Sequence, residues 1–123
     1  MATDCILGPR SLPASGDLST KQYLFMKIDT NGQLATNTTS GAWCPGVLQD
    51  KPTAQYQPGT ICAPGSFTKI TSAATLTAGQ QIMSNNAGKA VAATSGSHIL
   101  GIALEGASSG DIFEILYQPM GKL

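Results

Sequence analysis

The stretch ATSGSHILGIALEG, residues 93–106, restates in outline a stretch that has already occurred, TTSGAWCPGVLQD, residues 38–50. Each reads Thr-Ser-Gly, a short variable tract, glycine, an aliphatic residue and, within a few residues, an acid. Working outward, Gly32 falls on Gly88 at an offset of 56, which sets GQLATNTTSG against GKAVAATSGS. One residue fewer in the second loop then puts Gly46-Val47 on Gly101-Ile102 and Asp50 on Glu105. A shorter polar loop sets GTICA, residues 59–63, against GDIFE, residues 110–114. The order strand, glycine turn, strand, Thr-Ser-Gly loop, strand, polar loop, strand thus occurs twice, through duplication or through shared turn chemistry. Two such units predict an all-β fold, a small barrel of two pseudo-symmetric halves whose closure would remove exposed edges.

The segments between agree. YLFMKID runs into Asn31-Gly32, the strongest short hairpin signal, and QLAT returns. Asn86-Ala87-Gly88 turns TLTAGQQIMSN back into KAVAA. In DIFEILYQ both alternating faces are largely apolar, which predicts a central strand or one at an interface. No window sustains a 3.6-residue period, and Gly or Pro interrupts each candidate helix. Residues 1–20 carry Pro9, Pro13 and Gly16 and no periodicity. They read as an extended arm ahead of a single domain over residues 21–123, and Cys5, Ile6 and Leu7 in it become candidate partner contacts.

Charged residues make up 11% of the chain, against roughly 25% in an average soluble domain. The seven basic and seven acidic side chains cancel, which leaves no field to hold a phosphate backbone or an anionic membrane. Neither nucleic acid nor membrane is therefore an expected partner. No run of about 18 apolar residues exists, and the N-terminus lacks the basic start and apolar block of a signal peptide. Ala, Gly, Ser and Thr supply 53 of the 123 residues. A surface of that kind has few charges to desolvate and suits burial against another protein. Cys5, Cys44 and Cys62 are an odd count without metal spacing, which predicts free thiols in a reducing compartment. Were one pair to form, it would be Cys44 with Cys62.

His98 is the only histidine, so a triad would have to run through it, with Asp50, Asp111 or Glu105 orienting it and Ser97 or a cysteine attacking. Its setting, TSGSHILG, is not the strand-turn-helix of a nucleophile elbow. The remaining acids are scattered, DTNG lacks the repeated acids of a calcium loop, and no glycine run leads into a helix as a phosphate loop does. The expectation is a protein without catalytic residues, metal or cofactor. Trp43, after the first Thr-Ser-Gly, is either a core plug or an interface anchor. Tyr56, in the loop DKPTAQYQPG, is the second candidate anchor.

The block GVLQDKP, the hairpin TAGQ…SNNAGKAVAA and the terminal HILGIALEGASSGDIFEILY together resemble the capsid decoration, or cement, proteins of tailed bacteriophages. The resemblance covers roughly residues 41–117 and rests on turn and strand patterning. It implies a β-tulip-like domain on the outer face of an expanded icosahedral shell. Such a domain bridges neighbouring major capsid protein subunits, often as a homotrimer and in some members as a monomer. It implies a virion component on the capsid exterior, made in the host bacterial cytoplasm. A phage tail or baseplate component, or a receptor- or glycan-binding β-module, would also be small, β-rich and uncharged. Those alternatives stand beside it.

Overall fold

Turn chemistry does most of the folding here. Asp29 Oδ1 accepts the N–H groups of Asn31 and Gln33, each at 2.9 Å, and so closes the first hairpin. Asn85 Oδ1 does the same for Ala87 and Lys89, also at 2.9 Å, 56 residues on. Short polar side chains that bond their own backbone fix such turns locally, before any core exists.

The computed structural model describes residues 10–123, which form ten strands and no helix. The first half holds β1 (Arg10–Pro13), β2 (Phe25–Ile28), β3 (Leu34–Thr36), β4 (Gly46–Val47) and β5 (Pro58–Ile61). The second holds β6 (Ser66–Thr71), β7 (Gln81–Ser84), β8 (Ala90–Ala92), β9 (His98–Ala103) and β10 (Ile112–Lys122). All strand pairs are antiparallel. The second half is one sheet in the order β6-β10-β9-β7-β8. The first is a ladder β1-β5 and a sheet β3-β2-β4, joined where Leu48 bridges Ile61. Read across that bridge, the order is β1-β5-β4-β2-β3, the same order as in the second half.

The correspondence extends to single bonds. Ala14 bridges Leu34 in parallel, and Ser72 bridges Ala90 in parallel. Asn37 N–H reaches the Phe25 carbonyl and Ala93 N–H the Gln81 carbonyl, both at 3.0 Å. The backbone is left-handed at Tyr23 and at Gly79, and again at Tyr56 and at Gly110. The last strands pair off differently from the sequence alignment. Tyr56 and Gly110 donate to the carbonyls of Ala14 and Ser72, and Gln49 and Leu104 donate to those of Thr60 and Glu114. Pro58–Ile61 therefore matches Ile112–Ile115, and GTICA does not lie on GDIFE. The polar loop shortens by one residue, not by four.

The sheets do not close into a barrel, and β6 and β8 remain edges of the five-stranded sheet. The halves are held by a shared core instead. One buried cluster, with Ala14, Leu18, Leu24, Met26, Leu34, Leu48 and Ile61, belongs to the first half alone. The larger cluster gathers Ile70, Ile82, Leu100, Phe113, Ile115 and Tyr117 from the second half around Phe25, Cys44, Val47 and Cys62 from the first. Neighbouring Phe25 and Met26 thus point into different cores, because β2 is covered on both faces.

The expected arm needs correction. Residues 10–20 are part of the domain: β1 pairs residue for residue with β5, and Ala14 and Leu18 are core. Pro13, which gave the segment its arm-like reading, sits at the end of an edge strand, where a missing N–H is tolerated. Cys5, Ile6 and Leu7 lie outside the described residues.

Candidate interaction surfaces

The two Thr-Ser-Gly loops, residues 39–41 and 94–96, touch each other. His98 N–H donates to the Gly41 carbonyl at 2.9 Å, and a Cβ on Gly41 would stand 3.0 Å from that of Ser97. Between them lies a shallow depression of about 190 Å³ lined by Ser40, Met83, Thr94, Ser95 and Ser97. Ser97 Oγ donates to the Thr94 carbonyl, and no buried side-chain nitrogen or oxygen among the described residues lacks a partner. This seam is satisfied by its own bonds.

The candidate triad partners of His98 are spent on turns. Asp50 accepts from Thr60 N–H, Asp111 from Ser108 N–H and Glu105 from Glu114 N–H. Among the described residues, no three His, Cys, Asp or Glu side chains gather in a metal-binding arrangement.

Cys44 and Cys62 are free and buried in the shared core. Burial pushes the Cys44 thiol up to about 12, with a bond to the Ser84 side chain pulling weakly the other way. Burial raises Cys62 too. The Tyr117 hydroxyl, also raised by burial, donates to the Cys44 carbonyl and ties β10 to the loop before β4.

Trp43 is 54% exposed and Tyr56 70% exposed, so neither plugs the core. They are not brought together. Trp43 precedes β4 and Tyr56 precedes β5, and the antiparallel Leu48–Ile61 bridge puts the starts of those strands at opposite ends.

The structure adds a surface that the sequence reading did not assemble. Across the outer face of the five-stranded sheet, Phe67 on β6 stands opposite Leu116 on β10, which stands opposite Ile102 on β9, which stands opposite Gln81 on β7. Phe67 is 69% exposed, and Ile112 and Leu104 extend the apolar area on the same side. Glu114 lies directly opposite Lys69 within this face. The apolar alternation in DIFEILYQ predicts a central strand or one at an interface. What it lacked was the long-range register that sets FTKI and ILGIAL beside it. The strand is central, between β6 and β9, and its outer face is open.

The fold and these surfaces define a small all-β domain of two matching halves with an open apolar sheet face. No protein-family model and no curated protein sequence matches the chain. Among solved structures, it is similar to the head fiber gp8.5 N base of bacteriophage phi29, with a TM-score of 0.74 at 13% identity. The match covers 96% of this chain and 98% of that one. At that identity the likeness is one of fold.

Proposed function

We propose that this chain is a non-catalytic virion protein of a tailed bacteriophage. In this reading it binds the outer surface of the capsid, bridges major capsid protein subunits as a homotrimer and stabilises the shell. The observation that carries the reading is the fold likeness to the base of a phage head fiber, which runs nearly the whole length of both chains. Support also comes from the sequence patterning shared with decoration proteins and from a surface that presents Trp43 and Tyr56 among few charges. Binding at many equivalent sites needs only modest area per contact when several subunits are clamped together.

The test is sedimentation of the purified protein with undecorated heads over a range of salt. The expected result is co-sedimentation that changes little with salt, because apolar contacts are not screened, and lower occupancy for folded Trp43→Ala and Tyr56→Ala. Undecorated heads should lose DNA at a lower temperature than decorated ones. Failure to sediment with heads at any salt concentration would overturn the reading in favour of a tail or glycan-binding role.

A further inference from the structure

The second half presents its hairpin tip to the first. The Gly88 carbonyl accepts Phe25 N–H at 2.8 Å, and a Cβ on Gly88 would lie 2.9 Å from Thr36 Cγ2. The buried Asn37 amide donates to Ser84 Oγ at 2.8 Å and to the Asn85 carbonyl at 3.3 Å. Phe25, Thr36 and Asn37 are thus the receiving surface. The strand registers assign their counterparts in the second half as Gln81, Ala92 and Ala93.

That counterpart surface is open, and so is the tip that would fit it. Gln81 is exposed and Ala92 and Ala93 are half-buried. A Cβ on Gly32, the counterpart of Gly88, would meet nothing within 4 Å. Ile28, the counterpart of the wholly buried Ser84, is 48% exposed. The pairing chemistry has changed on both sides together. Where the closed contact sets the Asn37 amide on the Ser84 hydroxyl, the open one offers the Ala93 methyl to the Ile28 side chain. Farther along the face, Val47 and Cys62 lie in the shared core, and their counterparts Ile102 and Leu116 are the partly exposed middle of the apolar row.

We propose that the β2–β3 hairpin tip of one copy docks beside β7 and β8 of a second copy, with Ile28 against Ala93 and the Gly32 carbonyl toward Gln81 N–H. This contact repeats between chains the step that joins the halves within one. It joins two different surfaces, so it propagates, into a ring where the rotation closes and into an open filament where it does not. One bond differs. Gly41 N–H meets the Ser84 carbonyl, but its counterpart Gly96 N–H is held by the Leu123 carbonyl at 2.9 Å, so that place is taken within the chain. The inference rests on the proposed function only for the presence of a second copy, and its test contains no shell.

Native mass spectrometry and sedimentation velocity on the full chain alone should show an assembly of several copies. Ile28→Glu and Ala93→Glu should each reduce it to monomer with an unchanged circular dichroism spectrum. The double variant Ile28→Ser, Ala93→Asn, which installs the side chains of the closed contact, should stay assembled. In a Cys5→Ser background, Ile28→Cys with Ala93→Cys should cross-link between copies on mild oxidation. A monomeric wild type without cross-links, or an assembly indifferent to both Glu variants, would overturn the proposal.

Discussion

Tyr23 and Tyr56 stand where the other half of the chain has Gly79 and Gly110, and all four share a left-handed backbone. An L side chain in that region costs about 1–2 kcal/mol. Tyr23 is half-buried between the halves, with Thr71 N–H on its carbonyl, and packing offsets the strain there. Tyr56 is exposed and has no such return inside the domain. Strain kept at an exposed aromatic points to use elsewhere. Tyr56→Gly should therefore stabilise the isolated protein by up to about 1 kcal/mol in chemical denaturation, after the greater freedom of unfolded glycine is counted, while lowering occupancy on heads. Asn37 makes the opposite case. Its amide donates to Thr39, Ser84 and Asn85, and Asn37→Ala should cost roughly 2–3 kcal/mol by leaving buried acceptors unpaired. The buried thiols and the Tyr117 hydroxyl make the core sensitive to alkali. An unfolded thiol ionises near its ordinary 9.0, whereas Cys44 holds its proton to about 12. In that window the unfolded state binds fewer protons than the native one, so stability should fall as pH rises from 9 to 12. Urea midpoints across that range should show the fall, and Cys44→Ala should lessen it while Cys62 and Tyr117, also raised by burial, keep the remainder.

Among the elements, β4 and β9 carry the same device. Gly46 and Gly101 occupy equivalent positions, and each lets its strand approach the following one closely. A Cβ would lie 2.9 Å from the Cys62 carbonyl in the first case and 2.3 Å from the Leu116 carbonyl in the second. Gly101→Ala should therefore cost roughly 3 kcal/mol or more and Gly46→Ala less, an ordering that thermal unfolding of the two variants checks. Both glycines were legible in the sequence as the fixed point of the repeat, as were the turns that follow β2 and β7, because each is set by residues within a few positions. What the sequence did not carry is long-range. The pairing of β1 with β5 joins segments about 50 residues apart, and four residues ending in proline give no local pattern to announce it. Matching Gly59 to Gly110 misplaces the last strand, because Gly59 lies within β5 whereas Gly110 sits in a turn. In the structure Gly110 is instead the partner of a tyrosine. Tyr56 was legible as an exposed aromatic, whereas Trp43 could be core plug or interface anchor until the fold set it on the surface. The apolar row Phe67, Leu116, Ile102 was not, since it draws one residue from each of three strands.

At the scale of the whole molecule, the halves are one cooperative unit, because Phe25, Cys44, Val47 and Cys62 lie in the core of the half they do not belong to. The same feature leaves the first half closed over its own smaller cluster and leaves the outer face of the second half unmatched. Net charge of zero and scarce charge overall mean that a partner on this surface would be held on apolar terms.

Having the same strand order twice also creates a folding hazard. Each closing strand has two possible partners of the same polarity, so β6 could zip onto β5 and β1 onto β10, trapping a misassembled chain. The native pairs carry a discriminator against that trap. Ser11 stands opposite Thr60, hydroxyl to hydroxyl at 3.4 Å, while at the equivalent place Lys69 stands opposite Glu114. Exchange would set the lysine against a threonine and the carboxylate against a serine, forfeiting the opposite-charge match in both. Lys69→Glu should then refold with a slow or aggregating fraction in stopped-flow experiments, and Lys69→Glu with Glu114→Lys should recover the fast phase. Two exposed charges that contribute little to the finished domain would thereby decide which of two assemblies the chain reaches first.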